Sequence, residues 1–565
     1  MKIKLLLVLF LSLFIFNPAF SKEEKKVVRV AISNQNFSNY VFTTTKISSD
    51  GLIKILDLAK NTQLDAIQPN KTVEIVIEDD FYSVYVDSKL QFANLTGPLL
   101  ISSNSQLQLL ELNRKGIPAK YEGMIEIKKA KNNCGFNIIN VVDMQNYLRG
   151  VVPNEMPVSF GLEALKAQSI AARNYALNAN MTSDYDLVDS TAAQVYYGAN
   201  SYKNVTDEAI LKTHGIYALY NEKPIMALYF STSSGITDDW DDVFNNGEKS
   251  DLHPYLKARP DFENQDFLKN ENDVVKFYSQ NGNGLDINSP KFRWNIEFTR
   301  QELEQVLHTT LQQQSKAGLV EPKYDGDIVL EGLKDIKPIK RTQSGKIVEL
   351  LIESKTGNYK VKKELGIRRV LRKNNAMLPS GNFFVEFEGK ERLAGDKENE
   401  PKVQESGLIK LFDIIDDERY PTIIRFIGGG FGHGVGMSQF GASNLAKQGK
   451  KYPEILSHYY SDINISTVPK TIEYSGFNMS SKTEFYFDNE IHSQAFLIID
   501  NERNVSEFPF KINNYEFNDT HSASRNKLIK INITQYLNNG ENVINFAPLT
   551  RENKGKQITY RVEFL

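Results

Sequence analysis

Apolar and polar positions alternate with a period of two over long stretches at both ends of the chain. Val28-Arg-Val-Ala-Ile, Val73-Glu-Ile-Val-Ile and Tyr82-Ser-Val-Tyr-Val alternate or run apolar, separated by turn-forming Asn, Ser and Gly. This pattern predicts strands from Val27 to about Leu112. Met124-Ile-Glu-Ile and Phe136-Asn-Ile-Ile-Asn-Val-Val continue it. From about Thr471 strands return, as in Ala495-Phe-Leu-Ile-Ile and Asn542-Val-Ile-Asn-Phe. Between them the period changes. Leu162, Leu165, Ser169, Ala172 and Ala176 recur at spacings of three and four, with Ala164, Ala167, Ala171 and Tyr175 on the next stripe. Small residues on two stripes predict a central helix packed on both sides, and Pro157 suits a first helical turn.

Residues 245–420 are more polar and mixed. Glu302 to Gln314 reads as a helix, Lys346 to Ile352 as a strand, and Glu386 to Ser406 as a solvated loop. A glycine-rich turn and a short Ala-containing helix follow over 422–460. The fold class expected is therefore α+β, and a length of 565 residues calls for several units. They are a β-rich N-terminal region (22–116), a central α+β catalytic domain (117–470) with a polar insertion (245–420), and a C-terminal β-sandwich (471–565).

The first residues change the picture of where the chain works. Lys2 and Lys4 precede an apolar run from Leu5 to Phe16, and Ala19 and Ser21 occupy the −3 and −1 positions of a cut before Lys22. That order is a secretory signal peptide over 1–21; its apolar run of 12 residues is shorter than the roughly 20 that span a bilayer, and an uncleaved anchor is the alternative. The expected location is the periplasm or cell envelope, with no stable membrane span after cleavage. Cleavage removes two of the 67 basic residues and none of the 70 acidic ones, so the net charge moves from −3 to −5. Such a surface argues against nucleic acid as a partner. Cys134 is the only cysteine, which excludes an intramolecular disulfide and a thiolate zinc site.

Two stretches carry candidate chemistry. In Tyr147-Leu-Arg-Gly-Val-Val-Pro-Asn-Glu-Met-Pro, Glu155 lies between apolar residues just ahead of the expected helix. A poorly solvated carboxyl keeps its proton toward neutral pH and can donate it. A glutamate that only serves a helix start is the alternative. In Ile427-Gly-Gly-Gly-Phe-Gly-His-Gly-Val-Gly-Met-Ser-Gln, glycines allow a tight loop that a ligand can touch. The loop matches neither a dinucleotide fingerprint nor a P-loop. His433 is then an exposed imidazole for positioning substrate, or a structural turn residue.

With Leu162-Glu-Ala-Leu-Lys-Ala-Gln-Ser-Ile-Ala-Ala-Arg-Asn-Tyr-Ala-Leu, these stretches resemble the stage II sporulation protein D / amidase-enhancer family. Thr191-Ala-Ala-Gln-Val-Tyr-Tyr-Gly, Tyr229-Phe-Ser-Thr-Ser-Ser-Gly-Ile-Thr and Phe440-Gly-Ala-Ser-Asn-Leu-Ala extend the resemblance, which covers roughly 117–470. It implies a lytic transglycosylase acting on peptidoglycan glycan strands, preferably denuded ones, with Glu155 as its catalytic residue. One carboxyl suffices for that chemistry, whereas a glycosidase places two. Asp238, Asp239, Asp241 and Asp242 read instead as a solvated face. Motif position adds Gln168, Arg173, Tyr175, Tyr196, Ser234, Ser438 and Gln439 as substrate contacts, with packing or a solvated polar position as the alternative for Gln168, Arg173 and Tyr175, a buried ring for Tyr196, and helix capping for Ser438 and Gln439. The family's other name gives the alternative function, a non-catalytic glycan-binding protein that recruits or stimulates a cell-wall amidase. No cofactor is expected. Some members carry Cys and His where this chain has Asp189-Ser-Thr-Ala-Ala and Phe230, so no metal is expected either. Ile531-Asn-Ile-Thr-Gln-Tyr-Leu-Asn-Asn-Gly resembles a segment of galactose-binding-like sandwiches.

The leader reading predicts a mature protein that begins near Lys22. Mass analysis of protein recovered from the cell envelope should find that terminus, and an intact Met1 would refute cleavage.

Overall fold

A computed structural model describes residues 27–565 except 132–134, 246, 263, 324–325, 327, 390–418, 474–479, 519 and 521–525. The expected leader, Cys134 and most of the expected loop at 386–406 lie outside the described residues; the strand Phe383–Glu388 runs into that loop's start. The architecture is α+β.

The N-terminal strands form two sheets. Val27–Ile32 pairs antiparallel with Phe136–Asp143, which continues through Met124–Lys129, Leu99–Ser103 and Ile53–Asp57. The second sheet runs from Ile117–Tyr121 through Leu107–Arg114 and Thr44–Ser48 to Lys89–Leu95. The boundary expected at 116–117 thus falls inside a hairpin, because Ile117–Tyr121 pairs with Leu107–Arg114. Every residue of Phe136–Val142 is buried, so this strand is covered on both faces.

Phe136–Asp143 leads directly into a helix that the sequence reading did not separate, α1 (Met144–Glu155). Asp143 caps it, accepting from the backbone of Gln145 and Asn146 at 3.0 Å each. Gly150 and Pro153 within an apolar run obscure its period, yet Pro153 falls in the last turn and α1 ends two residues later. The expected central helix is α2 (Leu162–Asn178), with Ala164, Leu165, Ala167, Ile170 and Ala171 fully buried. It packs against α1, α3 (Asn204–Leu211) and the helix Gln439–Lys447. Lys166 bridges Glu163 (2.8 Å) and Asp488 (3.4 Å), which ties α2 to the C-terminal strands.

The expected helix over 302–314 is observed as Arg300–Lys316, with Thr299 and Glu302 forming a capping box. It belongs to a separate hydrophobic core running from Trp294 to Phe426, which includes the four-stranded sheet of Leu333–Arg341, Ile347–Ser354, Asn358–Lys362 and Val320–Glu321. At the C-terminus, Ala495–Asp500 pairs with Gln557–Phe564, and Asn464–Ser466 links this sheet to the central strand Tyr217–Tyr220. A second, four-stranded sheet includes Ser481–Phe487 and Gly540–Phe546. Among the described residues, no helix is long and apolar enough to cross a membrane.

Gly150 is required by space. A Cβ there would stand 2.4 Å from the Tyr196 ring and 3.1 Å from the Gly198 carbonyl. The helix-propensity gain of Gly150→Ala is about 1 kcal/mol and overpacking costs about 1–3 kcal/mol. The net expectation is a loss of stability, read as a lower urea midpoint; an unchanged or higher midpoint would show that Tyr196 yields.

Candidate active site

Glu155 is the last helical residue of α1, not a residue ahead of a helix start. The carbonyl end of a helix carries partial negative charge, so the dipole opposes ionisation there and the helix-start alternative falls. Its Oε1 accepts the Val195 N–H at 2.5 Å. Burial pushes the carboxyl up to about 7, against the lowering effects of the Val195 N–H and a hydrogen bond from Gln439. This is the range in which one carboxyl can both give and take a proton.

Around it stand amides and phenols. Gln439 Nε2 donates to Gln168 Oε1 at 3.4 Å, and the buried Gln168 amide nitrogen has no partner among the described residues. Burial, and the charge of Glu155 beside it, hold the Tyr175 hydroxyl above its ordinary value. Tyr229 feels the same two effects more strongly. Gln194 donates to the Tyr229 hydroxyl at 2.9 Å and accepts from Tyr147 at 2.8 Å. Gln194, Tyr229 and Tyr147 were not singled out as site residues. Their signal was the Gln-Val-Tyr and Tyr-Phe-Ser segments themselves, which motif reading treats as blocks. Among the described residues, no carboxylate contributes to the shift at Glu155.

The glycine-rich loop reaches this place through a short parallel pairing. Met437–Ser438 lies beside Tyr229–Phe230, which delivers Gln439 to Glu155. His433 is half-buried rather than exposed. Its Nε2 is 3.1 Å from the Tyr229 carbonyl, its Nδ1 accepts the Val435 N–H at 3.1 Å, and its ring lies between Phe230 and Phe244. Burial and the charge of Lys346 push the imidazole down to about 3, so it stays neutral and carries no charge to the site near pH 7.

The structure thus brings Glu155, Gln168, Tyr175 and Gln439 together, with His433 joined through Tyr229. Four other expected contacts are occupied elsewhere. Arg173 is fully buried and donates to the Ile216 carbonyl (3.1 Å) and to Thr213 (3.4 Å), because α2 turns that face toward α3. Tyr196 is fully buried against Tyr147 and Tyr121, with its hydroxyl on Asn140 at 2.6 Å. Ser438 caps the helix Gln439–Lys447 and donates to Asp286. Ser234 faces the Tyr278 hydroxyl at 3.1 Å. The acidic run is not a solvated face. Asp238, Asp239 and Asp241 are buried, and Asp238 accepts from Thr342 and Ser344 and sits 3.5 Å from Lys346. Asp189 pairs with Arg114 at 2.9 Å and Phe230 packs on His433.

Comparison with known proteins bears on this geometry. The family described as Stage II sporulation protein matches residues 132–220, and a domain of unknown function (DUF8618) matches residues 241–398. The amidase enhancer of Bacillus subtilis (strain 168) is 30% identical over 55% of this chain, and the match spans 39% of that protein. Stage II sporulation protein D of Bacillus amyloliquefaciens is 28% identical over 58% of this chain and 74% of its own length. The protein of the same name from Bacillus subtilis (strain 168) is 29% identical over 58% and 75%.

The raised carboxyl fixes the sign of a stability effect. An unfolded glutamate ionises near 4.5 and the folded Glu155 near 7, so the folded state binds the extra proton between these values and stability falls as pH rises across them. Glu155→Gln removes the cost of ionisation and keeps an acceptor for Val195. Its melting temperature should match the parent's at about pH 4 and exceed it at pH 8. Equal values at both pH values would show a solvated carboxyl.

Proposed function

The chain belongs to the stage II sporulation protein D / amidase-enhancer family, and from that premise we propose that it is an exported lytic transglycosylase cleaving glycan strands of peptidoglycan, preferably denuded ones. The family supports a cell-wall related role. The finer reading is carried by one observation, a single carboxyl at Glu155 whose proton is retained to about pH 7, with no second carboxylate among the described residues acting on it.

With Oε1 held by the Val195 N–H, the carboxyl keeps its proton toward neutral pH. Glu155 donates it to the glycosidic oxygen as the C–O bond breaks and the leaving sugar departs as an alcohol. The carboxylate then accepts the proton of the sugar's own C6 hydroxyl as that oxygen bonds to the anomeric carbon, which closes an anhydro ring and restores the acid. Gln439 orients the carboxyl, with Gln168 behind it, and Tyr175 and Tyr229 stand beside it. The division into a catalytic part over 117–470 with an insertion at 245–420 belongs to the same proposal.

The name of one relative, amidase enhancer, favours a second reading in which the chain binds glycan and stimulates a separate cell-wall amidase. Product analysis separates the two. The mature chain incubated with denuded glycan should give anhydro-sugar ends by mass, and Glu155→Gln should lose about 10²–10⁴-fold in rate. Cutting that needs the protonated acid should decline as pH rises through about 7. Reducing ends would indicate a hydrolase, and glycan binding without cutting in either protein would shift the weight to the amidase reading.

A further inference from the structure

The segment matched to a domain of unknown function carries its own cavity. About 250 Å³ in volume, it opens between α4 (Trp240–Phe244) and the insertion's four-stranded sheet. Its lining includes Lys340, Lys360, Lys362 and Lys363 against two acids, Asp242 and Glu349. Lys360 holds Glu349 at 2.5 Å, Lys249 holds Asp242 at 3.3 Å and Lys362 pairs with Glu321, so both acids of the lining are neutralised and two of its four lysines are engaged in doing so or in a pair of their own. Lys363 has no ion-pair partner among the described residues. It sits at φ 63°, a left-handed conformation that costs a lysine energy and is found where surrounding structure imposes it. Lys340 reaches over the turn after α4, its Nζ 2.7 Å from where a Cβ of Gly247 would stand. The other side of α4 presents Phe244 to His433 at 5.6 Å, so one short helix separates the cavity from the glycine-rich loop.

We propose that this lysine-lined cavity is an anion subsite for the free carboxylate that a muramic-acid unit carries once its peptide has been removed. Removing the peptide hydrolyses an amide, which converts a neutral group into a carboxylate on that sugar. A cationic cavity one short helix away from the glycine-rich loop therefore distinguishes stripped strands from peptide-bearing ones at this position by charge. The subsite rests on the glycan-strand reading above and assigns a task to the insertion, which is recognition of the substrate away from the reacting bond.

The test uses the full mature chain carrying Glu155→Gln, so that strands bind without turnover. Affinities are measured for denuded glycan, for peptide-bearing glycan and for a neutral N-acetylglucosamine oligomer. Adding Lys340→Gln and Lys363→Gln should weaken denuded glycan about fivefold or more, leave the neutral oligomer unchanged, and reduce the salt dependence of binding. Lys363→Arg keeps the charge and should restore affinity, which a merely structural role for the lysine backbone would not produce. Equal affinities with and without the lysines would overturn the subsite and leave the glycan reading standing. A loss confined to peptide-bearing glycan would place the recognised carboxylate on the peptide and overturn the proposal. No binding of any strand by the parent would overturn both readings.

Discussion

The carboxyl of Glu155 is taken out of water at the carbonyl end of α1, where the helix itself opposes a negative charge, and given one backbone donor in return. Desolvation raises a carboxyl's pKa, and hydrogen bonds to the charged form lower it. Here desolvation dominates, and the Val195 N–H and Gln439 moderate it. A stronger set of donors would ionise the acid and abolish donation, while none would leave a base too weakly stabilised to form. The remaining architecture serves this balance. The buried strand Phe136–Asp143 sets the start of α1, α2 walls it from behind, and the Gln194–Tyr229–Tyr147 chain fills the surroundings with groups that hold no charge near neutral pH.

Much of this was legible in the chain, for definable reasons. Small residues on two stripes of α2 could only mean close packing on both sides, and the structure buries them. Alternation at the ends gave the strands. Helix α1 escaped because Gly150 and Pro153 interrupt a uniformly apolar run, so periodicity had no polar face to register. Glu155 could be picked from its motif, but its electrostatic setting reversed once it proved to end one helix rather than precede another.

Residue type does not reveal which way a side chain faces within a buried motif. Arg173 and Gln168 lie five residues apart on α2, and the helical rotation sends one to Thr213 and the other toward Gln439. Tyr196 is the sort of aromatic that stacks on sugars, yet its hydroxyl satisfies the fully buried Asn140 and its ring sets the limit on Gly150. The acidic run at 238–242 looked solvated because its partners, Thr342, Ser344 and Lys346, come from about a hundred residues further along. Asp286, which binds both Ser438 and the Ser233 N–H, lies in a stretch with no local pattern at all.

A loop made largely of glycine has no side chains to lock it, so its rigidity must come from what surrounds it. The insertion supplies that bracing. Ser380 donates to the Gly429 carbonyl at 2.7 Å, the Gly429 N–H reaches the Asn382 carbonyl at 3.0 Å, and the Gly432 N–H reaches that of Pro379 at 3.0 Å. Asp238 holds the loop from the other side, its N–H donating to the Gly434 carbonyl at 2.8 Å while its carboxylate is fixed by the insertion's Thr342, Ser344 and Lys346. Without glycine these approaches would close: a Cβ on Gly434 would meet Asp238 Oδ2 at 2.5 Å, and one on Gly428 the Asn382 carbonyl at 2.1 Å. The glycines therefore exchange self-supporting packing for contact with the insertion. The position of His433, and through Met437–Ser438 that of Gln439 at the carboxyl, is set by a segment more than a hundred residues from Glu155 in the chain.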